Sequence, residues 1–184
     1  MVYLTRGKEL LDPLAIYQRL GLKAGDRVAH LGCGGAGQFT APAAQIVGEK
    51  STVYAVDILK PVLQATLSKA MLEGVYNIKA IWSNLEILGA TKIPEGSLDY
   101  ALLINILFQS KKQKEIMAEA KRLLRSGGKL LIIDWNQSQS SFGPPAELKI
   151  KPSKVEQFAK ELNLNIIDQF QPGTYHFGLI LEKP

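Results

Sequence analysis

With 184 residues, 46% of them apolar and 21% charged, the chain has the size of one domain and enough apolar content to fill a core without staples. Its single cysteine, Cys33, excludes an internal disulfide and a cysteine zinc cluster, two histidines argue against a His-rich metal site, and no apolar run of about 18 residues spans a membrane. The net charge of +5 comes from 22 Lys and Arg scattered among 17 acids, and the densest basic stretch, Lys111 to Arg125, is broken by Glu115 and Glu119, so it reads as a solvated helix face and nucleic acid is not the favoured partner.

Met1 to Asp12 lacks the apolar centre and small-residue cleavage site of a secretion signal, which points to a soluble, cytoplasmic protein. Residues 1–22 read as an N-terminal helical segment able to serve as a lid, and no composition break separates a second domain within 1–184. Asp12-Pro13 is an N-cap followed by proline at the first helical position, and Gly21 ends that helix. Arg27–Leu31 is a short apolar strand. A glycine-rich turn, Gly32 to Gly37, leads into a helix over Phe39–Val47, with Pro42 near its first turn. Thr52–Val56 is a second strand ending at Asp57, followed by a helix from Pro61 to about Leu72 with Val62, Leu63, Leu67, Ala70 and Met71 inward. Asn77–Trp82 is the third strand. Leu98–Ile104 is nearly continuous in apolar residues, as a strand buried on both faces requires. A helix over about Lys112–Leu124 is stopped by Ser126-Gly127-Gly128, and Lys129–Trp135 is the fifth strand. Ser153 and Glu156 have capping-box spacing and start a helix to about Leu162. Asn165–Phe170 and His176–Leu181 are joined too closely for a crossover, so they pair antiparallel. Strand and helix alternation predicts a doubly wound α/β sheet that closes on an antiparallel hairpin.

Ligands of such sheets bind beyond the carboxyl ends of the strands. The loops there carry His30 to Gly37, Asp57-Ile58, Ser83-Asn84-Leu85, Asn105 and Asp134-Trp135-Asn136, whereas Asp99 begins its strand and reads as structural. Gly32, Gly34 and Gly37 satisfy G-x-G-x-x-G, a turn that lets backbone approach a ligand closely. Asp57 ends the second strand 20 residues after Gly37, where a carboxylate can accept both hydroxyls of a ribose; an alternative reading makes it an N-cap for the next helix. Together, loop and acid indicate an adenosine-type cofactor.

These residues resemble the class I S-adenosylmethionine-dependent methyltransferases along nearly the whole chain. Gly25-Asp26-Arg27-Val28-Ala29-His30-Leu31-Gly32-Cys33-Gly34 is similar to the family's first motif, and Val53–Asp57 to its ribose-binding strand. Leu98–Leu103 resembles the strand before the substrate pocket, and Leu123–Leu130 the helix-to-strand turn. The flavour resembles small bacterial and archaeal members related to quinone-biosynthesis methyltransferases. The resemblance implies a Rossmann-like, three-layer α/β/α fold with seven strands in the order 3-2-1-4-5-7-6 and the last antiparallel. It further implies S-adenosyl-L-methionine as cofactor and S-adenosyl-L-homocysteine as product. By the same resemblance Gly32, Gly34, Gly35 and Gly37 line the cofactor with Cys33 between them. Asp57 holds the ribose, Ile58 packs on adenine, Asn84 with Leu85 meets the adenine edge, and Asn105 lies beside the methionine end.

Two departures stand out. His30 occupies the position of the family's usual Asp or Glu near the cofactor ammonium, and the loop is one residue longer, so weaker or pH-dependent binding is expected. For Asn84 and Asn105, loop capping is the competing role. Cys33 reads as a packing residue. Methyl transfer is an in-line displacement that needs a base only if the acceptor loses a proton. Asp134 is the best-placed carboxylate for it, with capping as the alternative and His30 and His176 behind. Phe108, Trp135 and Phe142 offer surfaces for a flat acceptor, and a small molecule is favoured over RNA or protein. Two rivals stay open: an NAD-dependent oxidoreductase and a non-catalytic cofactor-binding module.

Overall fold

The computed structural model of the chain describes residues 11–138 and 143–184. Helix α1 (Pro13–Leu20) begins where Asp12 accepts the Leu14 and Ala15 N–H groups, and ends at Gly21 in the left-handed region. There follow β1 (Val28–Leu31), α2 (Thr40–Val47), β2 (Val53–Asp57), α3 (Lys60–Leu72), β3 (Ile78–Trp82) and β4 (Leu98–Ile104). Then come α4 (Gln113–Leu123), β5 (Leu124–Trp135), α5 (Pro152–Glu161), β6 (Asn165–Gly173) and β7 (His176–Glu182). The seven strands form one sheet in the order β3-β2-β1-β4-β5-β7-β6. The first five are mutually parallel, and β7 runs antiparallel between β5 and β6. Fold class, strand order and reversed last strand are those the resemblance implied.

Side chains alternate across the sheet and build two cores. One face gathers Val28, Ala55, Leu102 and Ile133 against Tyr17, Phe39 and Leu63 of the segments around α1, α2 and α3. The other gathers Leu31, Val56, Leu103 and Ile132 against Met117, Leu123 and Val155 of α4 and α5. The outcome is three layers, helices on both faces of a sheet whose central strands are buried along most of their length. Arg19 of α1 forks onto Asp168 of β6 at 2.6 and 3.0 Å and lies over the Phe170 ring.

Four local expectations change. The Ser153–Glu156 capping box does not form: the N-cap is Lys151, two residues earlier, Pro152, with its fixed φ and no N–H to satisfy, is the first helical residue, and Ser153 falls inside the first turn. Helix α4 passes directly into β5 at Leu124 instead of stopping at Ser126-Gly127-Gly128, because Leu124 is buried and pairs with Leu98 before a register shift. On α3 Leu63 and Ala70 are buried as expected and Val62 and Leu67 pack half-buried against the same core, but Thr66 joins the buried face and Met71 is exposed. Within the basic stretch Glu119 is not solvated but fully buried. It accepts the Gly89 and Thr91 N–H groups and a forked pair of bonds from Arg122.

Candidate functional site

The glycine turn leaves β1 under tight steric control. Gly32 and Cys33 both donate to the Val56 carbonyl, at 2.8 and 3.0 Å, which ties the turn to the end of β2. Gly32 has φ +75°, and a Cβ there would stand 2.7 Å from the Ile106 side chain, so any other residue would be strained and would have to displace Ile106. Gly34 also lies at positive φ, with open space where its Cβ would be, and its N–H donates to Asp57 Oδ2 at 3.2 Å. The other Asp57 oxygen accepts the Leu59 N–H at 3.0 Å, so the acid links the turn to the entry of α3 without serving as its N-cap, which is Leu59. Ile58 beside it is 53% exposed, and its carbonyl accepts from the Trp82 indole.

The face of α3 that looks onto the turn was not legible as part of a site. Thr66, buried, donates to the Gly34 carbonyl at 2.7 Å, and Lys69 donates to the Ala36 carbonyl at 2.5 Å. Their i, i+3 spacing and the match of Thr66 with Leu63 and Ala70 were the available signals. A cavity of about 790 Å³ flanks the turn between Pro13, Gly37, Pro42, Gln45, Lys69 and Glu73. Asp57, Asn84 and Asn105 lie outside its lining.

On the neighbouring loops, Asn84 Oδ1 accepts the Glu86 N–H at 3.0 Å, the capping role, and Leu85 is buried. Asn105 stands just past β4 in the left-handed region, with φ +55°, an uncommon cost for a residue other than glycine. Its N–H reaches the Ile133 carbonyl and its carbonyl accepts from Gln109. Its side-chain oxygen is buried with no hydrogen-bond partner.

His30 is 3% exposed, edge-on to Phe39, with Nδ1 2.9 Å from the Thr40 hydroxyl and Nε2 buried and unpartnered. Burial pulls this imidazole down to about 4, so it stays neutral from pH 5.5 to 8 and the expected pH dependence of binding has no titrating group there. Burial, reinforced by the Asp57 charge, pushes the Cys33 thiol up to about 11, consistent with packing.

Asp134, at the end of β5, has no exposed surface. One oxygen accepts the Leu107 and Phe108 N–H groups and the other its neighbour Trp135's. Burial pushes this carboxyl up to about 6 against the pull of those three donors. The face of Trp135 is covered, by His176 with ring centres 4.4 Å apart and by Gly143, where a Cβ would meet the indole at 2.7 Å. Phe142 lies outside the described residues, as does the 1–10 part of the proposed lid. His176 is also buried with both nitrogens unpartnered, and is pulled down to about 4 by burial and by the charge of Lys149.

These groups set the acid response. An imidazole ordinarily near 6.5 that titrates at about 4 when folded contributes stability that is complete above pH 6.5 and is lost as pH falls toward 4. Asp134 acts in the opposite sense, because its buried charge is relieved as pH falls through about 6. Two imidazoles outweigh one carboxyl. Urea unfolding is expected to give roughly 2 kcal/mol less stability at pH 5 than at pH 7. Equal values at both would mean that the histidines are hydrated in the native state.

Comparison with known proteins decides the family. A family model described as methyltransferase domain matches residues 22–173. The chain belongs to this methyltransferase family. The ubiquinone/menaquinone biosynthesis C-methyltransferase of Erwinia tasmaniensis is 28% identical over 120 residues, 65% of this chain and 46% of that protein. The chain thus spans about half the length of the curated relatives it matches. Among solved structures, a SAM-dependent methyltransferase from Aquifex aeolicus superposes with TM-score 0.87 at 24% identity, covering 96% of this chain and 92% of the other. A phosphoethanolamine N-methyltransferase from Haemonchus contortus, in complex with S-adenosyl-L-methionine, does so with TM-score 0.75 at 15% identity, covering 94% and 52%. At those identities the structural likeness is one of fold. No helix among the described residues is long and apolar enough to cross a membrane.

Proposed function

We propose that the protein transfers a methyl group from S-adenosyl-L-methionine to a small-molecule acceptor in the cytoplasm, within a single methyltransferase domain. The observation that carries the reading is the set of groups at the carboxyl edge of β1, β2 and β4. A carboxylate at Asp57, a left-handed backbone turn suited to glycine at Gly32, and buried unpartnered polar atoms at Asn105 Oδ1 and His30 Nε2 all lie there. A buried polar atom without a partner is costly, and a cationic, hydroxyl-bearing ligand supplies what these atoms lack.

The residues fit the cofactor. Asp57 would accept the ribose hydroxyls, Ile58 would pack on the adenine, and Asn84 with Leu85 would border its edge. Asn84 Oδ1 keeps a second lone pair beside its bond to Glu86. Gly32, Cys33, Gly34, Gly35 and Gly37 would form the wall beside the methionine part. Asn105 Oδ1 would accept from the ammonium. His30, in the tautomer whose Nδ1–H donates to Thr40, would offer Nε2 to the same group; a neutral acceptor there is weaker than a carboxylate. The cofactor supplies an electrophilic methyl on a sulfonium, and the protein's share is alignment and exclusion of water. Asp134 contributes by holding the Leu107 and Phe108 amides, which keeps Asn105 in place; all its contacts are internal, so positioning suits it better than proton abstraction.

A small acceptor is favoured because the described residues build the sheet, its helices and short connections, with no inserted module to read a macromolecule. The test is calorimetric titration with S-adenosylhomocysteine and with NAD, followed by incubation of a metabolite pool with labelled methyl donor. Binding of the first compound and label in a small molecule are expected. Binding of NAD alone would replace this reading with an oxidoreductase, and binding without turnover over a broad acceptor panel with a non-catalytic module.

A further inference from the structure

We propose that Thr66 and Lys69 of α3 are positioning residues that preset the glycine turn for the cofactor, an inference that rests on the reading that this turn and Asp57 hold S-adenosylmethionine. In a trans peptide unit the carbonyl and the following N–H point in opposite directions. Thr66 draws the Gly34 carbonyl toward α3, so the Gly35 N–H is turned away from that helix. Lys69 does the same to the Ala36 carbonyl, and with it the Gly37 N–H. Among the described residues neither of those two N–H groups enters a backbone hydrogen bond, so both remain available to a ligand on the side facing away from α3. Glycine peptides flip readily, because φ on either side is barely restricted, and a turn holding Gly34, Gly35 and Gly37 needs an external constraint to keep one orientation.

Helix α3 is suited to supply that constraint. It starts three residues after Asp57, whose two oxygens hold Gly34 and Leu59, so acid, turn and helix form one hydrogen-bonded circuit. Thr66 is buried inside it, with the Cys33 sulfur 4.0 Å from its hydroxyl. The high pKa of that thiol keeps its proton, so it can donate to Thr66 while Thr66 donates onward to Gly34.

The experiment compares S-adenosylhomocysteine binding by calorimetry, and thermal melting, in the wild type, Thr66→Val, Thr66→Ser and Lys69→Met. Valine keeps the shape and removes the hydroxyl. The expected result is about tenfold weaker binding for Thr66→Val, affinity within about twofold for Thr66→Ser, and about threefold weaker for Lys69→Met with a melting point close to wild type. Lys69 is exposed, so that variant carries the test if Thr66→Val does not fold. Wild-type affinity in both Thr66→Val and Lys69→Met overturns the positioning role and leaves the proposed function standing. A wild-type protein that binds no S-adenosylhomocysteine overturns both.

Discussion

Replacing Asp57 by alanine is expected to weaken S-adenosylhomocysteine about a hundredfold. A carboxylate accepting two hydroxyls forms two charge-assisted bonds, each contributing about 1.5–3 kcal/mol, and a hundredfold corresponds to the lower end of their sum. The same substitution frees the Gly34 and Leu59 N–H groups, but both sit at exposed sites where water replaces the lost acceptor. Stability should therefore fall by only about 1 kcal/mol, and affinity and melting should separate. Asp57→Asn should lie between, since an amide accepts through one oxygen only. Calorimetry within threefold of wild type for the alanine variant would remove Asp57 from the ribose.

The largest effect on stability is expected at Glu119. Burial alone would raise this carboxyl; the Arg122 guanidinium and the Gly89 and Thr91 amides outweigh that and bring it down to about 2. Glu119→Ala leaves a largely enclosed guanidinium without its carboxylate and two loop N–H groups without an acceptor. Breaking one side of such a pair costs about 3–5 kcal/mol, which lowers the melting temperature of a domain this size by roughly 10 °C. The carboxylate's contribution is complete above its ordinary pKa of 4.5 and is lost as pH falls toward 2. Scanning calorimetry showing a loss under about 1 kcal/mol would mean that the loop and Arg122 find other partners. Because Gly89 to Thr91 closes the loop that begins at Ser83 and Asn84, through a Ser83–Thr91 hydroxyl bond as well, the variant should also loosen the loop proposed to border the adenine.

What the sequence disclosed and what it hid divide along the range of the interactions. The turn at Gly32, the acid at the end of β2 and the short hairpin connection are determined by neighbours in the chain, so spacing alone located them. Thr66 was hidden because a threonine on a helix reads as part of a polar face, and its partner lies 32 residues earlier. Glu119 was hidden inside a basic run, where charge alternation ordinarily means solvent; only the approach of the Gly89–Thr91 loop makes it a core residue. The strand-end position of Asp134 left chemistry and capping both open; its bond to the Leu107 amide of the turn after β4, 27 residues away in sequence, could not be read from spacing. At α5, proline at the first helical position prevailed over a capping pattern one residue later.

The placement of β7 bears on the order in which the molecule can assemble. Strands β1 to β5 can associate as the chain grows, yet β5 keeps one edge open until a strand from the far end of the sequence arrives to fill it. Because β6 pairs only with β7, the strands cannot join the sheet one at a time in chain order; β6 must wait for β7, or the two must dock on β5 together as a hairpin. The fork from Arg19 to Asp168, spanning 149 residues, likewise closes only then. Such non-local closure makes folding slow relative to a helical bundle of the same size. It also means that a ribosome-bound chain lacking β7 presents the apolar strand β5 with unpaired backbone groups, the kind of edge that invites association with other chains.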